Sequence, residues 1–270
     1  MHRIRSLFTP YQPSIDHGSE SAVKYEESSP IDLLKPYVYC YWRLHTLQPL
    51  SQPFMYRVVS DGCVDILLEQ NHPKDIFITG FSPKFLEYEL GKSFDYIGIR
   101  FLPVGFPAIF DIPAHKVTNN FLPLQDICET LYTDLSRELS SPIDLDQATT
   151  IFDHLFVGAI GQRKSPIEID KRLVEAIHAI LAARGQLNLS DLDVGVSERQ
   201  LRRLFEYYFG ASPKVFAKVI RFQNILGAKP SMQSLRNDKI FYDEGYYDQA
   251  HFIKEFKAFY GVTPSQVFGR

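Results

Sequence analysis

The hydrophobic positions of this chain change their period once, close to Pro123. Ahead of that point, from about Tyr37 to Ile112, β-branched and aromatic residues come in short runs cut by turn residues. Tyr56-Arg57-Val58-Val59 and Val64-Asp65-Ile66-Leu67-Leu68 flank Asp61-Gly62, which predicts two strands around a hairpin turn. Ile76 to Phe81 and Tyr96 to Phe101 predict two further strands, each near a proline that ends or bends it. Short strands with frequent turns predict a β-barrel or sandwich.

Beyond Pro123, Leu124, Ile127, Cys128, Leu131, Leu135 and Leu139 fall at helical spacing, and Ile151, Leu155, Phe156 and Ile160 follow after Pro142. They predict a helical hairpin that either packs on its own barrel or forms a dimer interface. A polar stretch ending at Ser165-Pro166 marks a boundary. Next, Asp170 caps a helix with the apolar face Leu173, Ile177, Ile180 and Leu181, ending at Arg184-Gly185. The predicted class is α+β: a β-rich, barrel-like domain over 1–122, a helical hairpin and linker over 123–165, and an all-α domain over 166–270.

The last part of the chain repeats itself. Sliding the sequence by 51 positions aligns Ser197 with Asp248, Leu201 with Phe252, Arg203 with Lys254, Phe205 with Phe256, Gly210 with Gly261 and Pro213 with Pro264. Each copy holds a glycine (Gly195 or Gly245), a short turn, an N-cap, an amphipathic helix and then Gly-x-[Ser/Thr]-Pro. Ser197 and Gln200 predict a capping box, with Val196 on Leu201 as hydrophobic staple; Asp248 caps the second copy, with Tyr247 stapled on Phe252. Such a unit reads as a helix-turn-helix, whose second helix enters the major groove N-terminus first. Leu201, Leu204 and Phe205 form the buried stripe of the first such helix and leave Arg199, Gln200, Arg202 and Arg203 on other faces. In the second, Phe252, Phe256 and Phe259 are buried and turn Gln249, Ala250, His251, Lys254 and Lys257 outward or sideways. Arginine and glutamine suit guanine and adenine edges, and arginine suits phosphates. Phe216, Val219, Ile220 and Leu226 predict a connecting helix that holds the two readers apart. Readers on one side of a duplex sit about one helical turn, roughly 34 Å, from each other.

These residues resemble the AraC/XylS family of bacterial transcription regulators from about Leu187 to Phe268. The resemblance is carried by Gly195-Val196-Ser197-Glu198-Arg199-Gln200-Leu201-Arg202-Arg203-Leu204-Phe205, Gly210-Ala211-Ser212-Pro213, Arg221-Phe222, the run from Gly245 to Lys257, and Gly261-Val262-Thr263-Pro264. It implies two helix-turn-helix units in one protomer, with base-facing positions at Arg199, Arg202 and Arg203 and at Gln249, Ala250, His251 and Lys254. It implies double-stranded DNA as partner, RNA polymerase as a contact for an activator, and room for a homodimer and for a small-molecule effector in the amino-terminal domain. Ahead of each reader the pattern departs from the family. Leu189 to Val194 reaches Gly195 about two residues early, Asn237 stands at an apolar position and Phe241 where alanine is usual. Shortened or tilted supporting helices are expected. The amino-terminal part is similar, more weakly, to cupin-like sensory regions through Tyr41-Trp42, Ser60-Asp61-Gly62 and Arg100-Phe101-Leu102-Pro103.

Candidate chemistry narrows the picture further. None of the eight histidines makes the His-x-His pair of a metal-binding cupin, so neither a metal nor another cofactor is expected. Of the three cysteines, Cys40, Cys63 and Cys128, none has the Pro-Cys-His setting of a DNA-repair alkyltransferase; Cys63 and Cys128 read as buried, unreactive thiols. Trp42 and its neighbouring tyrosines either line a pocket or pack the core. The competing classes are a barrel-type enzyme and an interaction protein with a degenerate DNA reader; no catalytic residue is expected. No signal-peptide core or membrane span is evident, which predicts a cytoplasmic protein. The net charge of -3 argues at first against nucleic acid. Divided at Ser165, however, the first part carries 14 basic and 20 acidic residues and the remainder 15 and 12. An acidic amino-terminal part masks a mildly basic reader.

Overall fold

The nine residues Val38–Thr46 form β2, the longest strand among the described residues of the computed structural model, and both of its faces are covered. Apolar side chains therefore stand at adjacent positions and the alternation of a half-buried strand is missing. The structure describes residues 2–12, 22–188, 192–231, 233–235, 240–243 and 245–269. Across the main sheet the strands are β1 (Val23–Ser28), β2, β7 (Asp95–Phe101), β4 (Val64–Glu69), β5 (Ile76–Thr79) and β8 (Phe121–Pro123), every pair antiparallel. A separate antiparallel ribbon joins β3 (Met55–Val58) to β6 (Leu86–Glu89), with Val58 opposite Leu86.

This pairing corrects the expected hairpin at Asp61-Gly62. Both edges of β4 are taken by β5 and β7, so β3 cannot lie beside it and pairs in the ribbon instead. Residues 59–63 are a crossover between the sheets. Gly62 turns the chain at φ 88, and the buried Asp61 carboxylate accepts the Cys63 amide at 2.9 Å and the Gln12 side-chain amide at 2.6 Å.

One face of the main sheet presents Tyr41, Ile66, Ile78, Ile99 and Phe101 to α5 (Leu145–Gly161). Phe152 sits 5.1 Å from Tyr41 and Phe156 5.6 Å from Phe101, measured between ring centroids, and the Tyr41 hydroxyl donates to Asp153 at 2.8 Å. The expected helix from Leu124 to Leu139 is two helices, α3 (Leu124–Ile127) and α4 (Glu129–Glu138), because Cys128 adopts φ -148. Leu131, Leu135 and Leu139 nevertheless enter this same core, so both members of the expected hairpin pack on their own sheet. Cys63 is buried, and burial pushes its thiol well above the usual range; Cys128 is only half-buried.

The opposite face carries Trp42, Leu44, Asp65, Leu67, Tyr96 and Arg100 towards the β3–β6 ribbon, and the two enclose a chamber of about 240 Å³. Gly98 lies on this face. A Cβ there would overlap the Trp42 indole, so glycine is what lets the ring settle against β7.

The helices of the carboxy-terminal part are α6 (Lys171–Ala182), α7 (Glu198–Tyr208), α8 (Pro213–Ala228), α9 (Ile240–Asp243), α10 (Gln249–Tyr260) and α11 (Pro264–Phe268). Their core is not theirs alone. Ile4 of α1 (His2–Leu7), together with Phe8, Val59, Cys63, Phe81, Leu102 and Val104, the residue ahead of α2 (Gly105–Phe110), joins Leu173, Ile177, Phe205, Phe216, Phe222 and Phe256 in one buried cluster. Residues 192–197 contain no helix ahead of α7, and α9 is a single turn. Leu189 to Asp191 and Asn237 to Lys239, where supporting helices were expected, lie outside the described residues. Among the described residues no helix is long and apolar enough to cross a membrane, and no three His, Cys, Asp or Glu are grouped to hold a metal ion.

Candidate nucleic-acid interface

Helix α7 starts as its sequence requires. The Gln200 amide donates to Ser197 Oγ at 3.3 Å and the Ser197 amide donates back to Gln200 Oε1 at 3.1 Å, closing the capping box. Val196 packs at the edge of the cluster that holds Leu201 and Phe205. Arg199, Arg202 and Arg203 are exposed along the remaining surface. Gln200 is exposed too, but its Oε1 is occupied by the cap, which leaves only its Nε2 donors for a ligand.

Helix α10 repeats the design with different parts. Asp248 caps it by accepting the His251 amide at 2.7 Å, and Phe252, Phe256 and Phe259 form the buried stripe. Gln249, Ala250, Lys254 and Lys257 are exposed. His251 is drawn aside: its ring stands edge-on to Tyr246 at 5.6 Å, and Nε2 lies 3.7 Å from Oε2 of the buried Glu255, which Lys218 of α8 pairs at 2.7 Å.

The expected staple of Tyr247 on Phe252 is not formed, since Tyr247 is 87% exposed. Gly245 at φ 77 rotates the chain so that Tyr246 points inward and packs on Phe252 at 5.2 Å. Arg221 of α8 fixes this turn by donating to the Gly245 carbonyl at 2.7 Å, with its guanidinium 5.1 Å from the Tyr246 ring. Tyr247 thereby becomes a bare aromatic ring at the entrance to the second reader. Its adjacency to Tyr246 hid this, because the sequence does not say which of two neighbouring tyrosines turns inward.

The repeated Gly-x-[Ser/Thr]-Pro ends one helix and starts the next. Gly210 (φ 83) and Gly261 (φ 98) occupy the left-handed region favoured at helix ends, and Ser212-Pro213 and Thr263-Pro264 then open α8 and α11.

Contacts from the β-rich part fall on the carboxy-terminal ends of both reader helices. Phe209, following α7, packs on Phe81 at 4.6 Å, and Tyr207 donates to Asp111 at 2.6 Å. At the end of α10 the Phe259 carbonyl accepts the Ser60 amide at 3.4 Å and the Ala258 carbonyl accepts the Phe85 amide at 3.2 Å. The amino-terminal halves, with Arg199, Arg202, Arg203, Gln249 and Ala250, stay exposed to solvent. Sequence periodicity carries no sign of these long-range ties.

Two capped helices with exposed polar amino-terminal halves, each entered through a glycine turn and fixed against a common connecting helix, have the anatomy of the second, reading helices of two helix-turn-helix units. Residues 193–270 match the family described as "Helix-turn-helix domain". Residues 26–123 match a second family, "Domain of unknown function (DUF6597)". An uncharacterized HTH-type transcriptional regulator of Haemophilus influenzae is 35% identical over 101 residues, a stretch covering 36% of this chain and 33% of that protein. The chain thus matches about a third of that relative's length. Among solved structures, ToxT from Vibrio cholerae O395 aligns over 92% of this chain and 96% of its own at 12% identity and a TM-score of 0.39. Unsaturated fatty acid bound wild-type ToxT aligns over 91% and 94% at 12% identity and a TM-score of 0.40.

Proposed function

We propose that the protein is a sequence-specific DNA-binding transcription regulator of the bacterial cytoplasm, with no catalytic activity of its own. Residues 1–122 form its regulatory domain, 123–165 the helices and linker that brace it, and 166–270 the reader. Arg199, Arg202 and Arg203 read base edges from α7, and Gln249, Ala250, His251 and Lys254 do so from α10. Gln200 contributes its remaining donors, and Lys257 holds a phosphate. The observation that carries this reading is the repetition of a capped, glycine-entered helix whose exposed face is rich in arginine, lysine and amide side chains.

The chamber between sheet and ribbon is the place for a small-molecule effector. The protein pairs as a homodimer on its operator, and as an activator it touches RNA polymerase. The decisive experiment is selection of genomic fragments by the full chain, followed by gel shifts across a salt series. Recovery of a common sequence motif, bound at least about 10³-fold more tightly than random DNA, supports the reading. One observation favours a second reading, an interaction protein with a degenerate reader: residues 192–197 form no helix ahead of α7. Equal, steeply salt-dependent binding to every fragment selects that alternative.

A further inference from the structure

The chamber between the main sheet and the β3–β6 ribbon has walls and charges that define what it can hold. Its volume of about 240 Å³ exceeds the roughly 150 Å³ that accommodates a benzene. Six aromatic side chains line it: Trp42, Tyr56, Phe77, Tyr88, Tyr96 and Phe121. Its floor is ionic. Arg100 Nε lies 3.0 and 3.3 Å from the two oxygens of Asp65 and 3.8 Å from Asp61 Oδ2, and the Trp42 indole donates to Asp65 at 3.2 Å. Arg100, Asp61 and Asp65 are all buried, so two carboxylates share one guanidinium. Glu89 borders the mouth, is exposed and has no ion-pair partner among the described residues. An anionic ligand would meet this surplus of negative charge with Arg100 already engaged, whereas a cation supplies what the floor lacks.

We propose that this chamber binds an apolar organic cation, an aromatic or alkyl ammonium, and that its occupancy is relayed through the β3–β6 ribbon to reader helix α10. The proposal rests on the reading of the amino-terminal domain as an effector-binding module. Aromatic walls attract such a cation through the ring quadrupoles while burying its apolar body. Burial raises the Asp65 acid to about 6, with Arg100 opposing and the second carboxylate at Asp61 adding to the rise.

The relay is built into the chain. β3 leads through Val59 to Ser60, whose amide ties to the Phe259 carbonyl, and Phe85, immediately before β6, ties to the Ala258 carbonyl. Arg57 of β3 adds its guanidinium over the Phe85 and Tyr260 rings at 5.7 and 5.8 Å. Displacing the ribbon therefore displaces the anchor of α10.

Trp42 is the one tryptophan in the sequence and stands in the chamber wall, so its fluorescence reports occupancy of the full-length protein directly. The test titrates three probes of equal heavy-atom number: benzyltrimethylammonium, its uncharged isostere neopentylbenzene, and 3-phenylpropionate. The cation should bind saturably and about tenfold or more tightly than either of the others, the range a desolvated cation–π contact supplies. Glu89→Gln, on the exposed rim, should narrow that preference without unfolding the protein. At saturation the cation should change affinity for a selected DNA fragment by about fivefold or more. Equal or tighter binding of the neutral or anionic probe overturns the cationic class and leaves the effector-binding reading standing. No response to any of the three, with selective DNA binding intact, overturns both. Cation binding without a change in DNA affinity overturns the relay.

Discussion

Gln223, buried in the middle of α8, donates its side-chain amide to the Ser60 carbonyl at 2.8 Å and accepts the Tyr11 amide at 2.7 Å. One side chain of the connecting helix thus satisfies backbone groups from the crossover of the β-rich part and from the amino-terminal segment. Gln223→Ala leaves those groups buried and unpaired. It should destabilise the protein by about 1 to 3 kcal/mol, measured by urea unfolding. An unchanged midpoint would show that the tie contributes nothing.

Base reading and phosphate contact separate in two substitutions. Arg199→Ala should weaken binding to a selected site by about 1 to 3 kcal/mol and relax preference at one base pair. Lys257→Ala should weaken all sequences alike and lower the salt slope by about one. Gel shifts against a panel of single-base variants check both; a Lys257→Ala effect confined to one base pair would contradict the phosphate role.

Gly98→Ala places a methyl group where the Trp42 indole lies. Overpacking at this point should cost about 1 to 3 kcal/mol and shift the Trp42 emission as the ring moves. If stability and emission both match the unsubstituted protein, the close approach of Trp42 to β7 is not as described.

Asp65 sets a pH dependence. Burial raises its acid from 3.8 to about 6, with Asp61 adding and Arg100 opposing. An acid whose folded-state value is raised holds its proton more tightly when folded. Its contribution is fully present below about pH 3.8 and is lost as pH rises through about 6. Stability from this group should therefore fall by on the order of 1 to 3 kcal/mol across that window. Asp65→Asn should flatten that part of the profile; an unaltered pH profile in denaturation experiments would refute the assignment.

The reader was legible because its rules are local. Ser197 and Gln200 lie three residues apart and the cap they form needs nothing else, while Gly210 and Gly261 carry their left-handed turns in their own identity. What was not legible depended on the rest of the molecule. β2 hid because both faces are covered, and β6, Leu-Glu-Tyr-Glu, because four residues give too short a pattern. The Asp61-Gly62 turn looked like a hairpin because nothing local reveals that the edges of β4 are taken. Among candidate contacts, Arg199, Arg202 and Arg203 are exposed as their periodicity requires, whereas the His251 environment depends on Glu255 and Lys218, the latter on another helix.

The anchoring of α10 at its carboxy-terminal end makes the helix a lever. Twelve residues at about 1.5 Å each give an arm of about 18 Å from Tyr260 to Gln249. A rotation of about 10° at the Ser60 and Phe85 ties carries the Gln249 end, together with the Gly245 turn that Arg221 holds, roughly 3 Å, about the length of one hydrogen bond. A displacement at the β3–β6 ribbon too small to disturb its own packing is thus magnified to the scale on which a base contact is made or missed.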